Sequence, residues 1–293
     1  PDTELVRDPE AKDDTYTVLL QAVVEHRVPQ VVWWIDGLPD AVDDWPYSLR
    51  WPLEPVVHTV DEIALGGPDH KTLARKGMEN FYDGQRSLDQ WYSCHSCHQE
   101  GGTNARPMDT MNDGTEMTLK TVLPLHHVTE TFPWTWHGWQ TNLNDAMEKS
   151  ITSTMQGPEP SEEDKQALIA FLQSIPVPPN PFRGPDGSLS EAAERGKQVF
   201  YSRKAACIDC HNGPHYTDGK IHDVGLGSEA DVYEGYNTPP LTGVYRKVRL
   251  LHSGRARDLR RVINDLHRPE LVNGEGELTE QESADLIEFL KSL

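Results

Sequence analysis

Residues 94–98 read Cys94-His95-Ser96-Cys97-His98, and residues 207–211 read Cys207-Ile208-Asp209-Cys210-His211. Both are C-x-x-C-H. At that spacing two thiols can each form a thioether with one vinyl group of a haem, and the adjoining histidine offers its imidazole to the iron. The two motifs use all four cysteines of the 293-residue chain, so no thiol is left for a disulfide. The competing reading is a zinc site made of two C-x-x-C knuckles. The gap between the pairs is far longer than such a site uses, and each pair is followed by His. The motifs therefore predict two covalently bound c-type haems. Cys94, Cys97, Cys207 and Cys210 are the attachment points, and His98 and His211 the proximal ligands. The sixth position on each iron then separates peroxide chemistry (open) from electron transfer (filled).

Outward from the motifs, the sequence repeats. Lys76-Gly77-Met78-Glu79-Asn80-Phe81-Tyr82 precedes the first motif, and Arg195-Gly196-Lys197-Gln198-Val199-Phe200-Tyr201 the second. Leu168-Ile169-Ala170-Phe171-Leu172-Gln173-Ser174-Ile175 is matched by Leu286-Ile287-Glu288-Phe289-Leu290-Lys291-Ser292-Leu293. A repeat of this period marks a duplicated domain. Each copy has an opening helix with an aromatic pair, a haem motif, an irregular middle and a closing amphipathic helix. Ser161-Glu162-Glu163-Asp164 and Thr279-Glu280-Gln281-Glu282 are start signals for the closing helices. Pro176-Val177-Pro178-Pro179-Asn180-Pro181 is a stiff linker between the copies. The expected fold is mostly α, with two tandem cytochrome-c-like domains at 70–180 and 181–293. Residues 1–69 form an N-terminal irregular, β-containing arm. Its runs Tyr16–Leu20, Val31–Ile35 and Val56–Val60 predict a few short strands, broken by Pro29, Pro39, Pro46, Pro52 and Pro55.

The repeat also proposes distal ligands. Met155 lies 57 residues beyond His98, and His267 lies 56 beyond His211. Both fall in the loop expected before a closing helix. A Met ligand raises a haem potential and a His ligand lowers it, so the two haems would differ. The middle of the first copy carries His126-His127 and Phe132-Pro133-Trp134-Thr135-Trp136-His137-Gly138-Trp139. These indoles wall a haem pocket or, between two haems, relay an electron. His126, His127 and His137 are further candidates for distal ligation or acid–base work. His252 is a candidate partner for a haem propionate or a water, and Arg246, Arg249, Arg255 and Arg257 are candidate propionate partners.

The net charge is −20 and the pI near 5.0. That field disfavours nucleic acid and anionic membranes, and favours a basic or locally complementary redox partner protein. No apolar run is long enough for a membrane span. The chain starts at Pro1 without an initiator Met, which reads as a processed form or a piece of a longer chain. Because c-type haem is attached outside the cytoplasm, the expected location is periplasmic or otherwise extracytoplasmic.

From Arg195-Gly196 through Tyr236-Asn237-Thr238-Pro239-Pro240-Leu241-Thr242-Gly243-Val244 and Leu251-His252-Ser253-Gly254-Arg255-Ala256 to the closing helix, the second copy resembles the bacterial dihaem cytochrome c peroxidases. That superfamily includes the MauG-type enzymes, which oxidise protein tryptophans. Ile63-Ala64-Leu65-Gly66-Gly67 and Trp91-Tyr92-Ser93 also resemble dihaem modules that follow β-propellers in longer proteins. The resemblance implies a peroxide site at the first haem, electron entry at the second, and a Trp between them that Trp136 matches. It also implies a catalytic Glu at the position held here by Gln156, an amide that cannot shuttle a proton as a carboxylate does. Some members bind Ca2+ between domains, partly through the loop matching Thr238-Pro239-Pro240, although the Asn that completes the site is not evident around Val122. Their second distal ligand is often Met or Tyr, so His267 would be a variant. Two readings follow. One is an electron-transferring dihaem cytochrome ligated by Met155/His98 and His267/His211. The other is a peroxidase working at the first haem.

Overall fold

The computed structural model describes residues 4–7, 16–19, 70–114, 117–229 and 231–293. The chain falls into two units, residues 1–66 and 67–293. In the first, strands β1 (Glu4–Arg7) and β2 (Tyr16–Leu19) pair antiparallel, Glu4 opposite Leu19. The run at Tyr16 is thus a strand. The runs at Val31 and Val56, and the segment Ile63–Gly67, lie outside the described residues.

The second unit is mainly helical. In chain order it holds α1 (Leu73–Tyr82), α2 (Cys94–Cys97), α3 (Leu143–Lys149), α4 (Glu162–Ser174), α5 (Glu191–Tyr201), α6 (Leu259–Arg261) and α7 (Glu280–Lys291). Two antiparallel pairs of two-residue strands, Pro107–Met108 with Lys120–Thr121 and Ile221–His222 with Tyr236–Asn237, tie down the long loops.

The long helices start where their side chains can satisfy the free N–H groups of the first turn. Ser161 and Asp164 form a reciprocal capping box on α4, and Thr279 and Glu282 form the same box on α7. Thr72 caps α1 and Ser190 caps α5. Each such cap stabilises its helix by about 1 kcal/mol.

Helix α1 packs on α4, and α5 packs on α7. The contact is the same in both pairs and depends on one glycine. A Cβ placed on Gly77 would lie 1.8 Å from the Ala167 carbonyl oxygen, and one on Gly196 would lie 1.8 Å from that of Asp285. With no side chain between them, the two backbones touch. One turn on, Phe81 meets Phe171 at 5.1 Å between ring centroids, and Phe200 meets Phe289 at 5.3 Å. Phe81 joins a core with Ile151, Met155, Leu168 and Leu172. Phe200 joins a second core with Val244, Leu250, Leu286, Phe289 and Leu290. Burying each such aromatic contributes about 2–3 kcal/mol. The Pro-rich linker is held against the end of α7, where Asn180 Nδ2 donates to the Lys291 carbonyl at 2.9 Å.

The segments before α4 and α7 differ from expectation. In place of a plain loop, each copy has a short helix, α3 or α6, that widens into one turn of π-helix, Ser150–Thr154 or Val262–Leu266. Met155 N–H donates to Ser150 O at 3.0 Å, and His267 N–H to Val262 O at 2.7 Å, both five residues back. Met155 and His267 thus end equivalent turns. A π turn adds a residue to the helix ladder and redirects the side chain that follows, and such turns often sit at functional positions.

Because the glycine contact is backbone on backbone, Gly77→Ala and Gly196→Ala should each lower the stability of the haem-loaded protein by about 2 kcal/mol or more. Denaturant unfolding would measure this, and a change within experimental error at both positions would contradict the packing described.

Candidate functional site

Each C-x-x-C-H motif winds into a single turn closed by the same bond. His98 N–H donates to the Cys94 carbonyl at 2.9 Å, and His211 N–H to that of Cys207 at 2.8 Å. The turn brings residues i, i+3 and i+4, both thiols and the imidazole, to one side. In the first motif Ser93 and Ser96 cap the turn reciprocally. Burial pushes the Cys94 thiol up to about 11 and the Cys207 thiol up to about 12. Without a bound group such thiols stay neutral at pH 7. Burial likewise pushes His98 and His211 down to about 4, so both imidazoles are neutral and hold a lone pair for a metal.

The second half carries the better-defined cavity. About 1410 Å³ of space, its mouth included, is lined by Cys207, Cys210, His211 and His267 and walled by Phe200, Leu226, Leu250, Val262, Ile263 and Leu290. His211 Nδ1 lies 3.0 Å from the Tyr216 carbonyl oxygen. A carbonyl only accepts, so the proton is on Nδ1 and the lone pair on Nε2, the tautomer a proximal ligand needs. His267 Nδ1 is buried without a hydrogen-bond partner, and burial lowers its pKa. An apolar cavity holding two neutral imidazoles and a cysteine pair fits a haem. The cations Lys247 and Arg249 also line it. Burial, then Arg246, pushes Lys247 down to about 8, and a propionate would compensate that cost.

In the first half the sulfur atoms cluster. Met155 is 4 % exposed, and its Sδ is 4.0 Å from Cys94 Sγ. Met108 Sδ is 3.6 Å from Cys97 Sγ, a second thioether beside the motif that sequence reading did not single out. His98 Nδ1 is buried without a partner. Gln156 is exposed, with left-handed backbone (φ 52°). Of the other predicted groups, His126 accepts from Arg246 at 3.3 Å and is pushed down to about 4 by burial and by Arg246. Arg255 donates to the Leu226 carbonyl at 3.4 Å. Arg257 lines a separate cleft.

Trp136 belongs to the first half but lines the second half's cavity. Its Nε1 donates to the Thr121 carbonyl at 2.7 Å, and its ring meets His252 edge-on at 6.3 Å. Behind it lies a buried polar network. Tyr236 is stacked between His252 (4.2 Å) and His137 (4.7 Å). Its hydroxyl donates to Asp231 at 2.7 Å, so the His252 Nε2–H at 3.1 Å must donate to it. Asp231 also accepts from Lys120 at 2.5 Å and from Ser228 N–H at 2.8 Å. Burial pushes the Asp231 carboxyl up, but the bonds from Lys120, Tyr236 and Ser228 outweigh it and hold the group well below the carboxylate range. Burial and then Asp231 push the Tyr236 phenol up. Burial and then Lys120 push His252 down to about 4. The chain His252–Tyr236–Asp231–Lys120 is a continuous hydrogen-bonded path from the cavity wall and can carry a proton. The joining of Asp231, Tyr236 and Lys120 was not legible in the sequence. Asp231 and Lys120 lie in polar loops with no motif, Tyr236 stood out only as part of the Tyr236–Val244 segment, and docking of the two halves is what brings Lys120 to Asp231.

No family model matches the chain. It is 27% identical over 318 residues to hydrazine synthase subunit gamma of Kuenenia stuttgartiensis, a match covering 88% of this chain and 89% of that protein. It is 31% identical over 154 residues to the methylamine utilization protein MauG of Methylophilus methylotrophus, covering 44% of this chain and 45% of that one. The structure superposes on the dihaem peroxidase BthA of Burkholderia thailandensis with a TM-score of 0.56 at 16% identity, covering 75% of this chain and 85% of that one. The chain resembles the MauG and dihaem peroxidase superfamily in sequence, and its fold is similar to that of a dihaem peroxidase. The resemblance implies haem cofactors, in agreement with the residues lining the cavity. No described helix is long and apolar enough to cross a membrane.

Asp231→Asn would leave Lys120 buried without its counter-charge and should cost about 3 kcal/mol at neutral pH, read by denaturant titration. The Asp231 carboxyl has a lowered native pKa, so its contribution is complete above the unfolded value of about 4 and is lost as the pH falls through the native value. The variant should therefore lose stability less steeply in acid than the parent.

Proposed function

We propose that the chain is a dihaem c-type cytochrome that transfers electrons between two covalently bound haems of unlike potential. The observation that carries this reading is the position of Trp136, an aromatic side chain of the first half built into the wall of the second half's cavity. Bound haem supplies a one-electron iron couple. Cys94 and Cys97 anchor one haem and Cys207 and Cys210 the other, with His98 and His211 as proximal ligands. Met155 and His267, each ending a π turn, would supply the second ligand to each iron. A thioether on one side and an imidazole on the other set the two potentials apart. Trp136, fixed by its bond to Thr121 and its contact with His252, holds an aromatic bridge between the halves. The path His252–Tyr236–Asp231 provides for the proton that accompanies a change of charge in the cavity. Each half with its motif is a cytochrome-c-like domain, and the partner is a redox protein outside the cytoplasm. A place in a larger assembly is supported by the relative matched along most of the chain, which is itself a subunit.

A second reading, peroxidase activity at the first haem, is supported by the likeness to MauG and the dihaem peroxidases. Gln156 weighs against it, because it is an exposed amide where that chemistry calls for a carboxylate.

Ferric optical and EPR spectra separate the two. The electron-transfer reading expects two low-spin haems, with Met155→Ala converting one to high spin and His267→Ala the other. Trp136→Phe should slow electron transfer between the haems and leave both spectra unchanged. A high-spin haem in the parent that is lost on adding cyanide, with turnover of peroxide, would replace this reading by the second. An unchanged spectrum for Met155→Ala would remove Met155 as a ligand and make Met108 the next to test.

A further inference from the structure

Away from the haem motifs, three ligand-bearing side chains converge on one point. His127 and Glu130 come from a 3₁₀ turn of the first half (Val128–Glu130), and His215 comes from the turn that follows the second haem motif. One ligand atom from each lies within 4.8 Å of the others. His215 Nε2 is 3.0 Å from one Glu130 oxygen, and His127 Nδ1 is 3.7 Å from the other. The two imidazoles lie at 4.3 Å between centroids with their planes 33° apart, both directed at the same carboxylate.

Two features set this group apart from a chance surface ion pair. The first is spacing. In a tetrahedral zinc site with metal–ligand bonds near 2 Å, neighbouring ligand atoms stand about 3.3 Å apart. The two His–carboxylate separations, each to a different oxygen of Glu130, are close to that value, and one ligand atom from each residue lies within 4.8 Å of the others. The second is backbone. His127 is held at φ 61°, a left-handed conformation that side-chain-bearing residues rarely adopt. Its carbonyl accepts from Glu130 N–H at 2.9 Å and from the Thr131 hydroxyl at 3.1 Å. This small turn sets His127 and Glu130 side by side, three residues apart. His215 is fixed independently, its carbonyl accepting from Leu241 N–H at 3.1 Å. Glu130 is exposed while His215 is mostly covered (11 % side-chain exposure), so a metal held here would have protein on one side and water on the other.

We propose that His127, Glu130 and His215 form a binding site for a divalent transition-metal ion, with Zn2+ the ion of choice. Two imidazoles and one carboxylate suit a borderline metal rather than Mg2+ or Ca2+, which take oxygen donors. Water completes the coordination. The site is separate from the loop at Thr238-Pro239-Pro240 considered for Ca2+. It does not depend on the proposed electron-transfer function, in which Met155 and His267 rather than His127 are the distal ligands.

The test uses the full chain in its haem-loaded form, so that the cysteines are not free to take up zinc. After EDTA treatment and dialysis, Zn2+ is titrated by calorimetry, and bound zinc per chain is counted by elemental analysis. The expected result is one saturable equivalent in the parent. His127→Asn and His215→Ala should each weaken binding by at least about tenfold, and Glu130→Gln should weaken it measurably. Asn tolerates left-handed backbone, so His127→Asn keeps the turn intact, and unchanged haem spectra would confirm that each variant is folded. The proposal is overturned by a parent that takes up no zinc at molar excess. It is equally overturned by His127→Asn and His215→Ala variants that bind zinc with the parent's affinity and stoichiometry.

Discussion

The contact on which the second unit depends is a place where two helices meet with nothing between their backbones. Gly77 rests on the carbonyl of Ala167, and Gly196 on that of Asp285. Closeness at that point fixes the separation of each helix pair, and separation fixes what the next turn can do. Phe81 and Phe171, and likewise Phe200 and Phe289, reach each other only because the axes are already near. Aromatic pairing then closes each core over a large apolar area. Every later feature is hung on this frame: the motif turn after the opening helix, the π turn before the closing one, and the cavity between.

The two halves share that frame and differ in its contents. Both copies have the glycine, the aromatic pair, the motif turn with its five-residue closure and the π turn. The side chain at the end of the π turn is a thioether in one copy and an imidazole in the other. Around it the copies diverge further. The first packs its methionines against its cysteines. The second opens a cavity with neutral histidines and two lining cations. One scaffold thus presents two chemically distinct environments.

The two copies are joined by polar and aromatic contacts rather than by a shared apolar core. Thr121 pairs with His252 through the backbone at 2.7 Å, and Asn237 with Trp136 at 2.8 Å. Lys120 brings a cation from the first copy to the buried Asp231 of the second. Such bonds are directional and costly to leave unmade when buried, so they set the relative position of the halves tightly. That cation, with the bonds from Tyr236 and Ser228, outweighs the cost of burying the Asp231 carboxylate.

The two C-x-x-C-H turns, the matching segments around them, the capped closing helices and the mostly helical class were all legible in the sequence, because each is a local pattern. C-x-x-C-H is one turn, a capping box spans four residues, and a repeat is visible wherever it falls. The matched offsets of Met155 and His267 were legible for the same reason, although the π turns that explain them were not. A π turn differs from an α turn by one hydrogen bond, which no residue type dictates. Gly77 and Gly196 could be seen to correspond, but not to carry a helix crossing. The network of Asp231, Tyr236, Lys120 and His252, the wall position of Trp136 and the meeting of His127, Glu130 and His215 were decided by tertiary structure alone. Each joins residues from both halves, roughly 85 to 116 positions apart for the pairs that cross. Sequence sets local geometry through the short reach of the backbone. What meets across an interface depends on how two finished surfaces dock, and no single stretch of chain contains that information.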